Sequence, residues 1–170
     1  MRCSRLLLSF WLAVAGGGCA GYKVGPTGGQ IAGEKSVQIV PFANRTSEAR
    51  LADAVTFALR KEVQRDGTFR LATRDPGDIV VSGTLTNYTR REISLVPSDV
   101  ATAQDYNVRL TAQVTARERQ SDKVIFDQAV TSRTLVRVGQ DLPSSERQAL
   151  PLLATELARR VTALLADGSW

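Results

Sequence analysis

Hydrophobic and polar positions change their period along this chain, and the changes mark its elements. Val37 and Ile39 alternate with Ser36 and Gln38, the period of two expected of a half-buried strand. Pro41 and Phe42 close it, because a proline cannot donate to an interior ladder. Asn44 to Ser47 are turn residues, and Thr46 or Ser47 is suited to cap a following helix. From Glu48 the period becomes helical: Leu51, Val55, Ala58, Leu59 and Val63 recur on one face, with Arg50, Lys61, Glu62 and Arg65 between them. Glu48 near the start and Lys61 with Arg65 near the end suit the helix dipole, and Gly67 is a natural stop. This unit cannot bury its apolar stripe alone, so the strands that follow must supply the other half of a core.

In Thr68 to Thr73, Phe69 and Leu71 alternate as a short strand or extended connector, and Arg74 to Gly77 make a turn. Asp78 to Ser94 predicts a long strand with Ile79, Val81 and Leu85 on one face; Gly83 within it marks a bulge or a close backbone approach. Leu95 to Ala103, with Pro97, Ser98 and Asp99, reads as a sizeable loop. The clearest alternation runs from Gln104 to Arg119. Tyr106, Val108, Leu110, Ala112, Val114 and Ala116 share one side, and Asn107, Arg109, Thr111, Gln113, Thr115 and Arg117 the other. Gln120 to Asp122 turn the chain, and Lys123 to Val138 returns with Val124, Phe126, Val130, Val136 and Val138 on one face. At ~3.3 Å per residue such strands span about 50 Å, which predicts twist, bulges and an elongated body. After a loop at Gly139 to Pro143, Ser144 or Ser145 caps a helix reaching about Ala166 and ended by Gly168. Its stripe is Leu150, Leu153, Leu157, Val161 and Leu164, with Arg159 and Arg160 off it; Pro151 kinks the first turns or marks where the regular helix starts.

The 170 residues, 43% apolar and 23% charged, suit a single folded domain. The first 19 residues read differently. Arg2 and Arg5 form a basic start, Leu6 to Ala15 an apolar run too short to span a membrane, and Gly16 to Gly18 a small-residue cleavage region, the layout of a secretory signal. The small residues end on Cys19, which resembles the lipobox of bacterial lipoproteins, where the cysteine is acylated and becomes the mature N-terminus. Gly16 stands where such boxes usually carry an aliphatic residue; the alternative is an ordinary cleavage near Ala15 with an incidental cysteine. The organisation expected is a signal peptide over 1–18, a lipidated flexible tether over 19–34, and one domain over 35–168. The tether is glycine-rich, with Tyr22 expected as a solvated linker residue and packing on the body as the alternative.

Composition narrows the chemistry. The net charge is +5; the leader holds two arginines and no acid, which leaves +3, too mild to suggest nucleic acid. No cysteine follows Cys19, so the domain holds no disulfide scaffold, and the chain has no histidine, the commonest general base and transition-metal ligand. There is no Ser-His arrangement and no phosphate-binding glycine loop, and Asp75 and Asp78 flank a Pro-Gly turn whose geometry accounts for them. The expectation is a protein that is not an enzyme and uses no cofactor or metal.

Cys19 followed by Gly21-Tyr22, then VQIVPFANRTSEARL (37–51), the helix to Asp66, FRLAT (69–73) and GDIVVSGTLTNY (77–88) together resemble the LptE family of lipopolysaccharide-assembly lipoproteins. The order of elements is also similar. The resemblance implies an α+β fold with a roughly four-stranded, mainly antiparallel sheet and two helices packed on one face. It implies an outer-membrane lipoprotein, held at the periplasmic face by acyl chains on Cys19, that partners the LptD β-barrel as assembly aid and plug in delivering lipopolysaccharide. The alternative function is a periplasmic accessory lipoprotein regulating a cell-wall synthase or a secretion complex. Lipid A carries phosphates, so candidate contacts are arginines on polar strand faces: Arg109 and Arg117, Arg133 and Arg137 on the hairpin partner, and Arg90 and Arg91 at the end of the preceding strand. An ordinary solvated face, balanced by Glu92, Glu118 and Asp127, is the competing reading.

Overall fold

A computed structural model describes residues 31–96, 99–137 and 142–167. Cys19, the leader, Tyr22 and most of the tether lie outside the described residues, as do Pro97, Ser98, Val138 and Gly168. The chain runs through β1 (Ser36–Ile39), β2 (Ala43–Asn44), α1 (Leu51–Asp66), β3 (Arg70–Leu71), β4 (Ile79–Val96), β5 (Asp99–Glu118), β6 (Val124–Arg137) and α2 (Leu142–Ala166). Among these residues no helix is long and apolar enough to cross a membrane.

Among the described residues the sheet has six strands in the order β3-β1-β4-β5-β6, with β2 beside β4. This corrects the expected four-stranded count. The three long strands are antiparallel, but β1 pairs in parallel with β3 and with β4, and β2 in parallel with β4. The parallel pairings follow from α1, which carries the chain back so that β3 re-enters alongside β1. Val37, Ile39, Ile79, Val81, Leu85, the even-numbered apolar residues of β5 from Val108 to Ala116, Val130 and Val136 form the buried side. Against it lie Leu51, Val55, Leu59 and Val63 of α1 and Leu150, Leu153, Leu157, Val161 and Leu165 of α2. Both helices cover this one face and touch each other; the opposite face of β4–β6 is open. Leu165, rather than the half-buried Leu164, completes the α2 stripe.

Local chemistry adjusts several expected boundaries. α1 begins at Leu51 behind an N-cap, Arg50, that makes no side-chain capping bond, so neither Thr46 nor Ser47 caps it. Thr46 instead donates its backbone N–H to Asn44 Oδ1 at 2.9 Å, a side-chain-closed turn, while Glu48 Oε1 accepts from Arg50 N–H at 3.3 Å. Gly67 does end the helix, in the left-handed region at φ 76°, its N–H bonded to the carbonyl of Val63. Within the loop expected over 95–103, the described residues are strand: β4 continues to Val96, β5 starts at Asp99, and these two residues are paired. α2 likewise starts earlier than either expected cap, and Pro151 sits inside it.

Two irregularities govern which side chains reach which face. A bulge between Leu85 and Asn87 shifts the alternation of β4, so that Ile79, Val81 and Leu85 point to the helices before it and Tyr88 and Arg90 after it. A second, between Ala116 and Arg117, pairs Ala116 with Phe126 but Arg117 with Val124. Val124 therefore leaves the apolar side on which alternation put it, and is 43% exposed. Gly83 is a close approach, as its sequence position suggested: the Phe42 ring lies directly over it, where a Cβ would stand. Phe42 donates its N–H to Thr56 Oγ1 at 3.1 Å, and Thr56 in turn donates to the Ala52 carbonyl, which ties the exit of β1 to the first turns of α1.

Candidate functional site: the open face of the sheet

Alternation along β5 sends its polar residues to the side that the helices leave uncovered. Arg109 and Arg117 point there, with Thr111, Gln113 and Thr115 between them and Asn107 before Arg109. Arg133, Leu135 and Arg137 of β6 join them through the register, as do Thr89, Arg91 and Ile93 of β4 after the first bulge. Five of the six candidate arginines thus share one face. The sixth, Arg90, is on the helix side, where Nη1 contacts Glu146 Oε2 at 2.6 Å. Tyr88 donates its hydroxyl to the other oxygen of the same carboxylate. Burial, and then that hydrogen bond, hold the Tyr88 phenol well above its ordinary pKa, so it stays a donor. This three-residue clamp fastens the N-terminal part of α2 to the far half of β4.

The five open-face arginines divide again by partner. Arg117 is 3.5 Å from Asp122, and Arg137 is 3.1 Å from Asp105. Arg91, Arg109 and Arg133 have no ion pair among the described residues. The acids that could have balanced them are directed elsewhere: Glu118 bonds Lys35 at 3.1 Å and Ser121 at 2.7 Å, Asp127 accepts from Gln113, and Glu92 sits opposite Tyr106.

Arg109 and Arg133 stand directly opposite one another. Glu118 N–H donates to the Lys123 carbonyl and Arg119 N–H to the Asp78 carbonyl, so even-numbered residues of β5 bond to β6 and odd-numbered ones to β4. The Arg109–Arg133 row is therefore a non-hydrogen-bonded pair, the kind in which Cα atoms approach to about 4.5 Å and side chains lie closest. Like charges so placed destabilise a sheet by a few tenths of a kcal/mol to about 1 kcal/mol. In the next row, Arg91 pairs with Asn107 and Asn107 with Leu135. A shallow cavity of about 380 Å³ is lined by Thr89, Arg91, Ile93, Asn107 and Arg109. Ile93 and Leu135 are 55% and 69% exposed, so the basic cluster has apolar neighbours. No sequence signal singled out those two residues, because their exposure depends on the bulges and on the pairing register.

At the other end of the sheet a polar network holds the strands together. Ser36 gives Asp78 Oδ2 two hydrogen bonds, from N–H at 2.8 Å and from Oγ at 2.7 Å, and its Oγ accepts from Asp78 N–H at 3.0 Å. Those bonds hold the Asp78 carboxyl below its usual range. Ser121 and then Lys35 do the same for Glu118. These contacts are structural and tie β1, β4 and the β5–β6 turn into one end. Among the described residues no group of three or more acidic, cysteine or histidine side chains could hold a metal ion.

Comparison with known proteins supplies the family. No curated protein sequence matches the chain. Solved structures share the fold, among them the following three. The 1.65 Å structure of the hypothetical protein CT253 from Chlamydia trachomatis has 12% identity over 82% of this chain and 98% of its own, with a TM-score of 0.59. Protein XCC0632 from Xanthomonas campestris has 7% identity, coverages of 86% and 91%, and a TM-score of 0.61. The PelC dodecamer from Paraburkholderia phytofirmans has 18% identity, coverages of 84% and 94%, and a TM-score of 0.52. At these identities the likeness is one of fold alone. The family model described as LptE, lipopolysaccharide-assembly, matches residues 34–165, which is the strand-helix unit, the three long strands and nearly all of α2. The chain belongs to the LptE family of lipopolysaccharide-assembly lipoproteins.

Proposed function

We propose that this protein works at the periplasmic face of the outer membrane, anchored through acyl chains on Cys19, as the partner of an LptD-type β-barrel. There it aids the barrel's assembly, plugs its lumen and meets lipopolysaccharide on its way to the outer leaflet. Family membership supports the lipopolysaccharide-assembly part of this reading and is consistent with a role that involves no catalysis. The sheet is long and polar on one side, a shape and surface suited to a wide water-filled lumen.

The observation that carries the ligand assignment is the Arg109–Arg133 pair. Two cations lie face to face, with Arg91 alongside and, among the described residues, no carboxylate paired with any of them. That arrangement costs stability in the free protein and is relieved when an anion sits between the guanidinium groups, which match phosphate oxygens in bidentate fashion. Lipid A phosphates fit this requirement, and exposed Ile93 and Leu135 offer contact for acyl chains beside them. Arg117 and Arg137, each already paired, contribute less, and Arg90 serves the helix clamp.

Affinity capture from outer membranes tests the partner: recovery of a large barrel protein is expected, and recovery of only a cell-wall synthase or secretion component would favour the accessory-lipoprotein reading. A combined Arg91, Arg109 and Arg133 to Glu variant tests the ligand. With circular dichroism and barrel capture unchanged, lipopolysaccharide binding at physiological salt should fall by about tenfold or more. Binding equal to the parent would show that these arginines are not the site.

A further inference from the structure

Among the described residues β6 has a strand neighbour on one side only. Its free edge is 14 residues long, contains neither proline nor lysine, and so lacks two of the usual devices that blunt an edge. The backbone directions worked out for β5 extend to β6. Ala112 pairs with Val130 and Leu110 with Ser132, so even-numbered residues of β6 bond to β5. Asp127, Ala129, Thr131, Arg133 and Leu135 consequently turn their N–H and C=O groups away from the sheet. Beside them runs an open groove of about 360 Å³, where Gln128, Val130 and Thr131 face Arg160, Ala163 and Leu164 of α2.

We propose that this edge is a self-association seam, on which a second copy adds its own β6 in antiparallel fashion about a two-fold axis at Val130. The occupant follows from charge and register. Both edges donate and accept only when odd-numbered residues meet odd-numbered residues. With the axis at Val130, Asp127 of each copy, which within its own chain accepts from the neutral Gln113 side chain, lies opposite Arg133 of the other, and Ala129 opposite Thr131. An axis at Ala129 or Thr131 leaves both charged residues facing uncharged ones, and an axis at Arg133 sets arginine against arginine. An axis at Ser132 would call on Arg137, which Asp105 already holds. The chosen register gives Arg133 the carboxylate it lacks among the described residues of its own chain and relieves its repulsion with Arg109. It is an isologous contact, closed at two copies, that extends the sheet while keeping both helix layers on the same side. The two grooves come together over the seam, so the half-buried Leu164 of each copy loses water contact. Self-association and anion binding then draw on the same Arg133.

Sedimentation equilibrium of the full chain in detergent, over the micromolar range and without lipopolysaccharide, reads this directly. The parent should show a reversible monomer–dimer equilibrium. Asp127→Arg and Arg133→Asp each turn two attractive rows into two repulsive ones and should weaken the dimer about tenfold; the two together restore both rows and should return affinity to within about threefold. Ala129→Pro removes one donor from the free edge and none from the β5 ladder, so it should abolish the dimer while thermal unfolding of the monomer is little changed. A parent that stays monomeric, a double swap no tighter than the single variants, or a dimer indifferent to Ala129→Pro would each overturn the proposal. So would capture of the barrel lost with Ala129→Pro from a monomeric parent, which would assign the edge to a strand of that partner.

Discussion

Asp78 and Ser36 form the most localised device in the molecule, because one carboxylate receives both the N–H and the Oγ–H of a serine 42 positions away. Its consequence is a pH dependence of defined sign. The folded-state acidity of Asp78 is stronger than the ordinary value of 3.8, with the Ser36 bonds as the chief cause. The clamp therefore contributes stability above the unfolded-state pKa and loses it as pH falls through the lower folded value. Asp78→Asn should lower the melting temperature at pH 7, and the gap to the parent should begin to close below the ordinary value of 3.8 and vanish as the pH falls through the lower folded value. A gap that persists in acid would mean that the charge of Asp78 does not carry the effect. Arg109 and Arg133 are the converse case at the same scale, side chains whose mutual placement costs stability until an anion arrives.

Between elements, packing replaces hydrogen bonding as the deciding term. The Phe42 ring rests on Gly83, which lets the segment after β1 lie close to β4. Gly83→Ala should destabilise by about 1–3 kcal/mol through overpacking, and Phe42→Leu in the same chain should recover part of that loss. Additive losses in denaturant melts would show that the two positions are not in contact. The helix layer offers a second measurement. Leu157 is fully buried between α2 and the sheet, while Arg159 is exposed on the same helix. Leu157→Ala should cost about 2–5 kcal/mol and Arg159→Ala almost nothing. Similar melting temperatures for the two variants would mean that α2 presents a different face to the core.

For the molecule as a whole, the decisive quantities are its length and the proposed anchor. β5 alone, at 20 residues and ~3.3 Å each, reaches about 66 Å if fully extended. The helices shield one side of that sheet, and the arginine cluster lies on the other. The proposed tether would bring this open face to a membrane-bound partner. A single acyl chain gives only marginal membrane binding, so a durable anchor requires more than one. Mass spectrometry of the purified protein should find a mature N-terminus at Cys19 carrying several acyl chains. An unmodified peptide that starts before Cys19 would remove the lipid anchor from the proposal.

What the sequence determined by itself was the set of elements and their apolar sides. The 3.6-residue stripe through Leu51, Val55, Leu59 and Val63, and the period of two from Tyr106 to Arg117, follow from covalent geometry and needed no partner to be legible. The open-face positions of Arg109 and Arg133 were legible for the same reason. Tertiary structure decided the rest. Without the bulge after Leu85, alternation from Ile79 would send Arg91 to the helices and Arg90 to the open side; one inserted residue reverses them and gives Arg90 to Glu146. The parallel entry of β1, β2 and β3 is equally invisible in short apolar runs, since pairing direction depends on which edges α1 leaves open. The direct opposition of Arg109 and Arg133 is a property of register, fixed by the whole buried face seeking its match. Periodicity is a local constraint imposed by the backbone, whereas register, bulges and charge pairing are set by contacts between segments far apart in the chain.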